Sequence, residues 1–118
     1  MSDCQCVSPD ILRIAKKSDG SIVFLEQGNS RAGLRHILEG HLNDFINRGI
    51  SENQIPDAII TAVIRGRIVG TQAAGRIIYE VIFNNQTQYI SVTVGSNGYI
   101  VGANPTPERL IRRLTQGN

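Results

Sequence analysis

The chain has 118 residues, 41% of them hydrophobic and 19% charged, with a formal net charge of +2. That length suits one domain, residues 1–118, with a hydrophobic core of its own, and the composition excludes an intrinsically disordered chain. No apolar run reaches the roughly eighteen residues that suggest a membrane-spanning helix, and a sequence pI near 8.8 permits an anionic partner without requiring one.

The opening stretch, MSDCQCVSPD, has no basic region followed by an apolar stretch, so no secretory signal is visible. A domain cut from a longer exported protein would lack one as well. Cys4 and Cys6 stand one residue apart, an awkward geometry for a mutual disulfide, and are read as reduced or incidental, with no structural bridge implied. Residues 1–20 as a whole read as a loosely ordered N-terminal segment.

From Ser21, "SIVFLEQG" is a short strand ending at Gly28. "NSRAGLRHILEGHL" then reads as a helix with Asn29 or Ser30 as N-cap and an apolar stripe of Leu34, Ile37 and Leu38. Gly40 can end that helix in a left-handed conformation. A second helix is expected between Ser51 and Arg65, opened by a Ser51–Gln54 capping box or by Pro56 at the first helical position, and closed by Gly66.

Beyond Arg67 the period changes. "RIVGTQ", "RIIYEVIF", "QYISVTVG" and "YIVGAN" are four strand-like runs, the last three joined by the turns "NNQT" and "SNG". Ile90, Val92 and Val94 alternate with Ser91 and Thr93, so one sheet face is apolar and the other polar. Short connections imply an antiparallel meander. "TPERLIRRL" closes the chain as a short helix, with Thr106 as N-cap and Pro107 at its first position. The fold class read from this is α+β: two N-terminal helices on one face of a four-stranded antiparallel meander sheet, with a short C-terminal helix.

Both histidines of the chain, His36 and His41, fall in "LRHILEGHLNDF". In a helix five residues place side chains about 140° apart, so the two rings converge only if the backbone bends near Gly40. If the helix runs on, His41 joins the apolar stripe with Leu42 and Phe45. On the sheet, Arg76 and Glu80 share one face of their strand. A face with hydroxyls and a guanidinium can grip a phosphate. Plainer roles stand beside these: His41 as a carbonyl-bonded core residue, Thr106 as a cap alone, Arg76 paired with Glu80.

"LRHILEGHLNDF" followed by "QYISVTVGSNGYIVGANPT" resembles the small toxin nucleases of the barnase–EndoU–colicin–RelE fold class, found as C-terminal domains of contact-dependent inhibition and polymorphic toxins. The resemblance covers roughly residues 33 to 106. Gly102 stands where a threonine is common in that class, and Asn104 where an aromatic is common.

The resemblance implies a metal-independent endoribonuclease with no cofactor. It would release a 2′,3′-cyclic phosphate and a 5′-hydroxyl. Such cleavage needs a base for the 2′-hydroxyl proton, an acid for the leaving 5′-oxygen, and donors for charge growing on phosphorus. Imidazole suits either proton transfer, so His36 and His41 take these roles. Arg76 stabilises the phosphate, and Thr93 and Thr106 donate hydrogen bonds to its oxygens. Arg65, Arg67, Ser91 and Asn104 are the expected RNA contacts.

The implied partners are RNA, tRNA among the candidates, and a cognate immunity protein with an acidic surface. The implied place of action is the cytoplasm of a cell reached as part of a larger exported protein. Two other readings compete. One is a zinc clip through His36 and His41, whose spacing fits the H-x₃₋₅-H range while that of Cys4 and Cys6 departs from finger spacing. The other is a non-catalytic RNA- or protein-binding module.

Overall fold

The computed structural model describes residues 11–72 and 76–107. Its first elements are strands. β1 (Ile11–Lys16) and β2 (Ile22–Glu26) form an antiparallel hairpin, with a bulge between Ile11 and Arg13. The helices α1 (Leu34–Ile46) and α2 (Ile55–Arg65) follow, and then a four-stranded antiparallel sheet in the order β3 (Arg67–Gln72), β4 (Arg76–Phe83), β5 (Gln86–Val94), β6 (Ile100–Pro105).

This corrects the expected architecture, in which the helices came first. The hairpin precedes α1, and β1 falls inside the stretch read as loosely ordered. The reason is tertiary. "ILRIAK" has no clean period of its own, and becomes a strand because β2 pairs with it and α2 packs beneath both. The expected C-terminal helix, with Arg109, Arg112 and Arg113, lies outside the described residues, as do Cys4 and Cys6.

α2 is the centre of the core. One side meets the hairpin and the other meets β4 and β5, so the helix is apolar nearly all round: Ile55, Ala58, Ile59 and Ala62 are fully buried. Its entry is set by a short 3₁₀ turn at Glu52–Gln54. There the Ser51 amide donates to Gln54 Oε1 at 3.1 Å, half of the capping box, and Pro56 sits in the first turn.

The inner face of the sheet supplies Tyr79, Val81, Ile90, Val92 and Ala103 to the same core. At the β4–β5 turn Asn84 and Asn85 both adopt positive φ (55° and 63°), the conformation that a tight hairpin selects and that asparagine tolerates. The hairpin is tied to the sheet where the Phe24 amide donates to the Gly98 carbonyl at 2.9 Å and the Phe24 and Tyr99 rings meet at 5.6 Å. α1 packs mainly along β6, the edge strand.

α1 does not end at Gly40. It runs unbroken from Leu34 to Ile46, because Leu34 and Ile37 are buried on one side of the glycine and Phe45 on the other, and the stripe carries the helix through. Its N-cap is Gly33, without a side-chain cap, and not Asn29 or Ser30. No helix among the described residues is long and apolar enough to cross a membrane.

Candidate active site

On the outer face of the sheet, away from α2, strand register sets residues in three rows. Gln72, Arg76, Thr93 and Gly102 form the first. Gly70, Ile78, Ser91 and Asn104 form the second. Arg67, Glu80, Tyr89 and Thr106 form the third. Neighbours within a row have β-carbons about 4.5–5.5 Å apart.

His36 reaches the first row from α1. Its Cδ2 and Nε2 lie 3.6 and 3.8 Å from the point where a β-carbon on Gly102 would stand. The ring is held from behind by a 2.9 Å hydrogen bond between Nδ1 and the Ser30 carbonyl. A carbonyl only accepts, so Nδ1 carries a proton, and in the neutral ring Nε2 is the nitrogen with the lone pair.

Thr93 is the register partner of Gly102, and Arg76 Nε donates to Thr93 Oγ1 at 3.4 Å. A second guanidinium nitrogen, Nη1, donates to Asn104 Oδ1 at 3.2 Å. Imidazole and guanidinium therefore stand on either side of Thr93 in one short row, with Asn104 in the row beside it.

Among the described residues no carboxylate pairs with Arg76. The expected Arg76–Glu80 pair is not made. Arg67 takes Glu80 instead, with Nε and Nη2 at 3.0 and 2.7 Å from Oε1, and the Tyr89 hydroxyl donates to Oε2 at 3.1 Å. The Arg67 hydrogen bond is the main cause that holds the Glu80 carboxyl below the usual carboxylate range, against partial burial and with help from Tyr89.

The other expected site residues are not brought here. His41 lies on the same unbroken helix as His36, about 140° round it, and its Nδ1–H donates to Asp44 at 2.9 Å on the surface. The two rings take different faces of α1, and among the described residues no three His, Cys, Asp or Glu side chains are grouped so as to hold a metal ion.

Ser91, expected to contact RNA, and Thr106, expected to meet phosphate, are buried at 0% and 1% exposure. Their hydroxyls are bonded to each other, and Ser91 Oγ also donates to Gln72 Oε1 at 3.3 Å. Arg65 and Arg67 lie by the third row, four residues along β4 from Arg76, or roughly 13 Å at about 3.3 Å per residue. There they line an open hollow of about 490 Å³ with Thr61, Glu80, Ile82 and Thr87.

The residue that reading side chains alone passed over is Ser30. Its contribution is a backbone carbonyl, which no residue type signals.

No protein-family model matches the chain, and no curated protein matches it.

Proposed function

We propose that this protein is a metal-independent endoribonuclease of the toxin type, with His36 as its base and Arg76 as its phosphate clamp. The observation that supports this most is one row of the sheet. It holds an imidazole nitrogen freed by its own back-side hydrogen bond, and an arginine that no described carboxylate neutralises.

His36 Nε2 takes the 2′-hydroxyl proton. The 2′-oxygen bonds to phosphorus, the P–O5′ bond breaks, and a cyclic 2′,3′-phosphate is left. Arg76 meets the charge growing on the non-bridging oxygens, and Thr93 and Asn104 hold the guanidinium in place. The leaving 5′-oxygen takes its proton from solvent water, since His41 faces elsewhere; the imidazolium returns its own proton to solvent. RNA, tRNA among the candidates, is the substrate in the cytoplasm of a target cell. A cognate immunity protein would set an acidic surface against Arg76.

The test is purified protein with total RNA in EDTA, followed by mapping of the ends. Cyclic phosphate and 5′-hydroxyl termini are expected, and His36→Ala should slow cleavage about 10²-fold or more. RNA that is bound but stays whole in every buffer would make the chain a binding module.

A further inference from the structure

We propose that Asn29 is a positioning residue for His36: it shapes the loop between Gly28 and Gly33 so that the Ser30 carbonyl accepts a hydrogen bond from Nδ1–H and Nε2 stays free over Gly102. The inference rests on the nuclease reading above and extends it to what sets the tautomer of the base.

The loop is built around Ser30. Asn29 Oδ1 accepts from the Arg31 amide at 2.8 Å, a side-chain turn that brackets Ser30. The Asn29 amide donates to the Ala32 carbonyl at 2.9 Å and closes the loop. Gly28 and Gly33 allow so tight a loop: both have positive φ (69° and 92°), and a β-carbon on Gly28 would run into the Ala32 carbonyl. The Gly33 amide donates to the Val101 carbonyl at 3.1 Å, one residue from Gly102. The carbonyl behind the ring and the strand in front of it are thus parts of one connected unit.

This matters because an imidazole left to itself favours the proton on Nε2, the form with no lone pair where the 2′-hydroxyl would come. An acceptor fixed behind Nδ1 reverses that preference. Loss of the Asn29 side chain leaves the carbonyl in the chain but frees its direction.

The experiment reads tautomers directly, by long-range ¹H–¹⁵N spectra of the neutral imidazoles in wild type, Asn29→Ala and Asn29→Asp. His41→Ala assigns the His36 signals, and kcat and KM on RNA are measured alongside. Wild-type His36 should be the Nδ1–H form. Asn29→Ala should move it toward Nε2–H and lower kcat on the order of tenfold or more with KM little changed. Asn29→Asp, which keeps the accepting oxygen, should restore both.

A wild-type His36 found as Nε2–H overturns the proposal without any variant, and so does an Asn29→Ala protein that keeps both tautomer and kcat. The spectra need no RNA. A protein with the expected tautomers that cuts nothing therefore supports the positioning and overturns the nuclease reading alone.

Discussion

The His36 ring lies against Gly102, its Cδ2 3.6 Å from where a β-carbon would stand. That is ordinary contact distance, so a single carbon there would touch the ring. A glycine inside a strand is a weak choice for stability, and here its lack of a side chain leaves the imidazole its place over β6. Gly102→Val should therefore fold at least as stably as wild type, because valine favours strands. Its methyls must push the ring aside, and cleavage should fall, on the order of 10²-fold for a displacement near 1 Å. Thermal unfolding and initial rates on one RNA substrate check the two halves together.

A single base predicts a single limb in the pH profile. His36 must be unprotonated to act, so kcat/KM should fall as pH drops and should level off, without a second bend, as pH rises. Two working histidines would give a bell. His41→Ala should leave this curve where it is, since His41 is engaged with Asp44 on another face of α1.

Gly40 offers a test of the helix itself. It lies in mid-helix, and a β-carbon added there meets nothing within 4 Å. Gly40→Ala should raise stability by about 0.5–1 kcal/mol, the usual helical difference between the two residues. A left-handed stop at this position would make the same change destabilising, so denaturant unfolding of one variant distinguishes an unbroken helix from a bent one.

Gly40 also marks how far the sequence could be read. Glycine is both the favoured residue just past a helix end and a tolerated residue inside one, and only the burial of Phe45 five positions on decides between them. The strands were more legible. Alternation in "QYISVTV" and the Asn84–Asn85 turn are local signals, and β5 lies where they point. β1 was not, because its pairing is with a strand beyond a turn and its packing with a helix forty residues away. Alternation also assigned Ser91 to an open polar face. Side-chain period tells which face a residue takes, and tells nothing of whether that face is covered. Arg76 and Thr93, read on one polar sheet face, and Asn104, an RNA contact that the resemblance implied, do meet; the Ser30 carbonyl has no residue type to be read from.

The Arg67–Glu80 pair should show itself in acid. Glu80 is held below the usual carboxylate range, so the folded state binds its proton less readily than the unfolded one. The pair therefore stabilises the fold above the ordinary carboxylate pKa and stops doing so as pH falls through the lowered one. Arg67 is 74% exposed, which keeps the effect small. Arg67→Ala should lose less than about 1 kcal/mol at pH 7 and nothing measurable at a pH acid enough to protonate Glu80 in the folded state. Urea unfolding at the two pH values reads the difference.

Ser91 and Thr106 separate a structural hydroxyl from a chemical one. Both are sealed from solvent, and Thr106 Oγ1 meets Ser91 Oγ, which in turn meets Gln72. Ser91→Ala leaves the Thr106 hydroxyl buried without that partner, and should destabilise by about 1–3 kcal/mol. Thr106→Val keeps the shape and leaves Ser91 its bond to Gln72, so it should cost less. The double variant should fall short of the sum of the two, with a coupling on the order of 0.5–3 kcal/mol. Cleavage per folded molecule should hold in all three, because both oxygens are sealed from solvent and neither bonds to His36 or Arg76. A Thr106→Val protein of unchanged stability that cuts RNA tenfold more slowly would instead put that hydroxyl on the phosphate, and would require the outer face to open around it during the reaction.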